Sequence, residues 1–185
     1  MSDWTTESES RLLERAKTYD IDALAEIYDH YEARIYSYIY HRVGNQPVAQ
    51  DLTSNVFLRV LEAIQHDRTW ESSFSGWLYR IAHNLVIDYY RRRGRATQVS
   101  FDNLPTLSAH GEGPEDAAER ALLAERLRLA INRLTEEQAQ VVTLRFLEAL
   151  SITEVAEVTG KTEGAVKALQ YRAVSSLRRL LERQD

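Results

Sequence analysis

Glycine and proline are scarce in this chain, and their placement divides it. Only seven Gly and three Pro occur in 185 residues, and Gly94, Pro105, Gly111, Gly113 and Pro114 all fall in one short stretch. That stretch shows no sustained helical period. On both sides of it, apolar residues recur at three- and four-residue spacing and do not alternate as strands do. The pattern predicts an all-α fold: two small helical domains, 1–93 and 118–185, joined by a flexible acidic linker at 94–117. No unit of 20–50 residues recurs between the halves, which excludes a solenoid.

In the first half, Leu24, Ile27/Tyr28, Tyr31, Ile35, Tyr38/Ile39 and Val43 form one apolar face. Gly44-Asn45-Gln46-Pro47 ends that helix and starts the next. The second helix carries Val48/Ala49, Leu52, Val56, Val60/Leu61 and Ile64; the third carries Phe74, Trp77/Leu78, Ile81/Ala82, Leu85 and Tyr89. Residues 8–19 add a short leading helix. Stripes this wide let three helices share one small core. The opposite face of the third helix is assigned Tyr79, Arg80, His83, Asn84 and Tyr90. Aromatic rings and Arg there offer stacking and cation–π surfaces to unpaired bases, and Asn offers a base-edge contact.

The second half starts its helices with clear signals. Leu123, Leu127, Ala130/Ile131 and Leu134 mark one helix. Thr135-Glu136-Glu137-Gln138 and Ser151-Ile152-Thr153-Glu154 both fit the capping box, and Thr162 fits an N-cap. Val141 to Phe146 is expected to form one helix ending before Glu148-Ala149-Leu150. Residues 152–171 read as a helix-turn-helix. Val155 and Ala156 pack its first helix, Gly160 supplies the positive φ of the turn, and Val166 and Leu169 return the second helix to the core. Its outer face holds Glu163, Lys167, Gln170, Tyr171 and Arg172, side chains able to reach base edges and phosphates in a major groove.

Charge supports this reading once it is divided. The chain carries a net −5, but residues 126–185 hold ten Lys/Arg against eight Asp/Glu. Five Arg lie in 80–95 against Asp88 alone, so two basic patches sit on an acidic chain. Cysteine is absent, which excludes disulfides, thiolate metal sites and a Cys nucleophile. The five His are scattered, with no Glu-x-x-His or His-x-x-x-His pair, no Gly-x-Ser-x-Gly and no Walker A loop. No apolar run reaches the ~20 residues of a membrane helix, and the polar start has no apolar leader segment. A cytoplasmic protein with no cofactor and no metal is expected.

Two longer motifs go further. Asp51-Leu52-Thr53-Ser54-Asn55-Val56-Phe57-Leu58-Arg59-Val60, followed by the run from Phe74 through Arg93, resembles conserved region two of bacterial RNA polymerase sigma factors. Leu144-Arg145-Phe146 through Ser151, Glu154-Val155-Ala156 and Gly164-Ala165-Val166-Lys167 resemble region four. A missing region-three domain and a short linker match the extracytoplasmic-function group. The resemblance implies a specificity subunit with no catalytic site of its own. It would bind core RNA polymerase and direct promoter-specific initiation by recognising the -10 and -35 elements and assisting melting. Asp51, Leu52, Asn55, Val56 and Arg59 would dock on the β′ clamp helices. The loop 66–75 and Arg80, Asn84, Asp88, Arg91 and Arg92 would face the -10 element, where a base flips from the stack at a cost of a few kcal/mol. Lys161, Thr162, Glu163, Lys167, Gln170, Tyr171 and Arg172 would read the -35 duplex. The β flap and an anti-sigma factor complete the implied partners, with no membrane insertion. The linker, with Asp102, Glu112, Glu115 and Asp116, would thread through polymerase. Many members carry Ser-Arg-Leu after the lysine, where this chain has Ala168-Leu169-Gln170.

Three other readings compete. A stand-alone helix-turn-helix regulator predicts tight duplex binding as a symmetric dimer without polymerase. An enzyme requires a ligand or nucleophile constellation that the motifs do not provide. An adaptor protein leaves the basic patches without a role.

Overall fold

Most helix starts coincide with a capping side chain. The structure is a computed structural model that describes residues 6–66, 70, 73–96 and 114–182. Its helices are α1 (Thr6–Lys17), α2 (Ile21–Val43), α3 (Gln46–Gln65), α4 (Phe74–Ala96), α5 (Pro114–Ile131), α6 (Glu136–Val142), a π-helical turn (Thr143–Leu147), α7 (Ile152–Thr159) and α8 (Glu163–Leu181). No strand occurs among the described residues. Asp20 caps α2 by accepting from the backbone N–H groups of Asp22 and Ala23. Gly44 ends α2 at φ 63°, and Asn45 immediately caps α3, accepting from Val48 N at 3.0 Å. Both expected capping boxes are present, Thr135 with Gln138 and Ser151 with Glu154. Each satisfies backbone donors that a helix start leaves without partners.

Helices α2, α3 and α4 pack around Ile35, Tyr38, Ile39, Val56, Val60, Leu78, Ala82 and Val86, with Leu12, Leu13 and Ala16 of α1 at one edge. This core does not close on itself. It continues without interruption through Val141, Leu144, Leu150, Val155, Val158, Val166 and Leu169 of the second half. A smaller cluster of Ala130, Ile131, Ala139, Val142, Ala173 and Leu177 joins α5, α6 and α8. Helix α6 is buried on both sides: Val141 faces the shared core and Val142 the smaller cluster.

Three features differ from the sequence reading. Helix α4 runs on to Ala96 and α5 begins at Pro114, so helix intrudes on both ends of 94–117; residues 97–113 lie outside the described ones. The helix after Val141 widens into a π-turn, closed by Glu148 N–H to Thr143 O at 3.0 Å and Leu150 N–H to Leu144 O at 2.9 Å. Finally, Tyr79, assigned to the polar face of α4, is only 2% exposed. Its edge packs on Tyr38, and α7 of the second half covers that side of α4.

Candidate nucleic-acid and polymerase interface

Helix α4 presents three faces. Leu78, Ala82, Leu85 and Val86 pack into the core. Tyr79, His83 and Tyr90 turn toward the second half or its margin. The third face bears Arg80, Asn84, Arg91 and Arg92, all exposed, with Asp88 half-buried among them. Residues 80, 84, 88 and 91 are spaced four, four and three apart and form one stripe along the helix. The stripe is cationic and only loosely self-paired: Arg91 Nη1 lies 3.8 Å from Asp88 Oδ1, with both ends in solvent.

Alongside this stripe, a groove runs between α3 and α4. Leu52, Asn55 and Arg59 line it from α3, and Leu85, Asp88, Tyr89 and Arg92 from α4. Two residue sets read separately from the sequence thus meet at one surface. Asp51, Asn55 and Arg59 are exposed on one face, and Asn55 Nδ2 donates back to the Asp51 carbonyl at 2.9 Å. Leu52 is half-buried. Val56 is fully buried and has no surface to offer a partner, so its expected contact is corrected: it anchors α3 in the core. Of the loop 66–75, residues 67–69 and 71–72 lie outside the described ones. Trp70 packs edge-on against Phe74 at 4.7 Å, and Lys17 lies over its ring.

The helix-turn-helix forms as expected. Gly160 takes φ 65°, and Lys161 N–H donates to the Ala156 carbonyl at 3.1 Å, which closes the turn into α8. The candidate residues of α8 then divide. Thr162 is spent as N-cap on Ala165 N. Glu163 accepts from Thr153 Oγ1 at 2.8 Å and lies 3.7 Å from Lys167 Nζ. Gln170 accepts from Arg145 Nε at 3.4 Å, and Lys161 pairs with Glu137 at 2.6 Å. That leaves Lys167, Tyr171 and Arg172 facing outward, with Tyr171 77% exposed. The same helix buries Val166, Leu169 and Ala173 on its opposite side, so the Tyr171 ring takes no part in the core.

Sequence reasoning missed the polar contacts between the halves. Ser37 Oγ of α2 donates to Glu148 Oε1 at 3.0 Å, and the buried Tyr79 hydroxyl lies near that carboxylate without completing a hydrogen bond. Burial pushes the Glu148 carboxyl above its ordinary range, against the pull of Ser37 and Arg34. His83 Nε2 lies 3.2 Å from Glu136, and its Nδ1 lies 3.2 Å from the Tyr38 hydroxyl. Burial lowers the His83 pKa, aided by Arg42 and opposed by Glu136. One signal was available: Tyr79, Ala82/His83, Val86 and Tyr90 form a second stripe at helical spacing, mixed in polarity as a wet interface is. Among the described residues no group of three or more His, Asp or Glu comes together as a metal site, and no helix is long and apolar enough to cross a membrane.

Two family profiles match separate parts of the chain. The profile of sigma-70 region 2 matches residues 27–96, and that of sigma-70 region 4 matches residues 124–177. The ECF RNA polymerase sigma factor BldN of Streptomyces coelicolor is 42% identical over 170 residues. That alignment covers 92% of this chain and 64% of the relative, so this chain spans a little under two thirds of BldN. The ECF RNA polymerase sigma factor SigW of Bacillus subtilis is 31% identical over 180 residues, covering 91% of this chain and 94% of the relative. A solved structure of CnrH in complex with the cytosolic domain of CnrY shares the fold. It aligns with a TM-score of 0.73 at 20% identity, over 96% of this chain and 99% of the other.

Proposed function

The chain belongs to the extracytoplasmic-function sigma factors of the sigma-70 family, and from that premise we propose that it binds core RNA polymerase and directs initiation at promoters of a defined -10 and -35 sequence. In this role it is a specificity subunit: polymerase supplies the catalysis, in the cytoplasm where polymerase works. Residues 1–93 act as the core- and -10-binding domain, 118–185 as the -35 domain, and 94–117 as the linker. An anti-sigma factor is the natural negative regulator.

One observation carries the reading at residue level. The face of α4 that neither the core nor the second half covers is the one bearing Arg80, Asn84 and Arg91. A helix that buries two faces and keeps a cationic stripe with a central amide exposed has the chemistry to hold a single-stranded, phosphate-flanked base. Asp51, Asn55 and Arg59 on the adjoining rim of α3 would make the polymerase contact, with Leu52 beneath them. Lys167, Tyr171 and Arg172 would enter the -35 major groove, with Lys161, Thr162, Glu163 and Gln170 shaping the helix start and its support.

The two DNA contacts differ in kind, and a pair of variants separates them. Lys167→Ala removes a duplex contact and is expected to weaken promoter capture and lower its salt dependence. Asn84→Ala is expected to leave capture nearly unchanged while impairing strand opening and relaxing preference at one -10 position by ~1–3 kcal/mol. Permanganate footprinting of the open complex distinguishes them. Normal opening with unchanged base preference in Asn84→Ala would remove that helix from the -10 assignment.

A further inference from the structure

We propose that the cavity between the two halves, walled by Arg42, Ile87 and Tyr90 on one side and by Ile131, Leu134 and Glu136 on the other, is a binding site for a small monocarboxylic acid with an apolar tail. Its lining comes from both sides, with Arg42 on α2 and Ile87 and Tyr90 on α4, facing Ile131, Asn132 and Leu134 at the end of α5 and the turn after it. Its volume is about 210 Å³, room for a molecule of benzoate size.

The argument rests on Arg42. Its side chain is 4% exposed, and Nε has no hydrogen-bond partner. Nη1 reaches only the Tyr38 hydroxyl, at 3.5 Å. Among the described residues no carboxylate comes within ion-pair distance of it. Glu136, on the same cavity wall, lies 3.2 Å from His83 Nε2 and outside ion-pair distance of Arg42, so it leaves the guanidinium without an anion. A buried guanidinium with open donors is costly, and a carboxylate matches its planar fork. The Tyr90 hydroxyl already donates to the Arg42 carbonyl, so that ring contributes an apolar wall and not a second donor. Arg128 nearby is paired with Glu125. A single available cation suits a monoanion better than a phosphate dianion. Ile87, Ile131, Leu134 and Ala139 then accommodate the apolar remainder.

Because the walls belong to different halves, the site exists only while the halves are packed together. A ligand that binds there favours the packed arrangement by mass action. Benzoate serves as the probe, titrated calorimetrically into the full chain, with acetate as head alone, benzyl alcohol as tail alone and sulfate as a dianion. Benzoate is expected to bind at least ~10-fold more tightly than any of the three. Ala139→Leu, which fills the cavity with an apolar side chain, is expected to abolish binding while a cooperative melt is retained. No benzoate binding to the wild-type chain overturns the proposal, as does equal binding of benzyl alcohol or sulfate. Undiminished benzoate binding in a folded Ala139→Leu chain overturns it too. The wild-type ligand series decides the matter even if the variant fails to fold.

Discussion

Ala149 sits at φ 56° where the π-turn hands over to α7, in a region that residues with a Cβ enter at a cost of about 1–2 kcal/mol. Glycine removes that strain but adds backbone entropy to the unfolded chain, worth about 0.5–1 kcal/mol. Ala149→Gly is therefore expected to stabilise the fold by about 0.5–1 kcal/mol in urea denaturation, and a loss of stability would contradict the conformational account. Tyr19, at φ 63°, is a poorer test because its hydroxyl also bonds to the Leu61 carbonyl. Glu148 makes a second residue-level prediction. Its carboxyl is held above the ordinary range by burial, so the packed state binds this proton more tightly than the unfolded chain does. The wild-type contribution therefore weakens as pH rises from the unfolded value through the raised one, and stays weakened above it. Glu148→Gln retains an acceptor for Ser37 and removes the charge. Its stability relative to wild type is expected to increase as pH rises from the ordinary glutamate value of about 4.3 through the raised one; a difference independent of pH would show that the carboxyl titrates as if exposed.

Elements were legible where a local signal fixes them. Both capping boxes, the N-cap at Thr162, the helix break at Gly44-Asn45-Gln46-Pro47 and the turn glycine Gly160 are set by neighbouring backbone donors and φ values, and each sits where its chemistry requires. The π-turn was not legible. Within it Arg145 donates to the Leu150 carbonyl and to Gln170 of α8, contacts that no period in the sequence records. The exposed stripe of α4 was half-legible: Arg80 and Asn84 face out as read, whereas Tyr79 is claimed by the second half. Gly76 marks where that claim is made. A Cβ there would lie 3.4 Å from Ser73 Cβ and 3.7 Å from the Val158 backbone, so alanine fits and a larger side chain meets α7. Gly76→Leu is expected to leave helicity unchanged and loosen α7 from α4. Small-angle scattering would register this as a larger radius of gyration than in Gly76→Ala, and identical radii would mean that the contact does not hold the halves together.

For the molecule as a whole, the apolar faces announced helices but not which face meets which. A core running from Ile35 through Leu78 to Val155 and Val166 cannot be read from separate stripes, because each stripe is satisfied by any apolar neighbour. The consequence is functional. Promoter elements about 1.5 turns apart lie roughly 55 Å from one another at ~3.4 Å per base pair, whereas α7 rests directly on α4. Serving both elements at once requires the halves to separate, and the 17 residues between Ala96 and Pro114 allow that only near their full reach of about 60 Å. The packed chain is thus expected to be a weak binder of promoter duplex until polymerase engages it. The most direct test is run-off transcription with core RNA polymerase on a promoter library, comparing the wild-type chain with Asn55→Glu/Arg59→Glu. The account predicts transcripts from a defined start that depend on the wild-type chain, and loss of both transcription and polymerase co-purification in a variant that keeps its helicity. Transcription unchanged by the double substitution, or tight symmetric duplex binding with no dependence on polymerase, would contradict it.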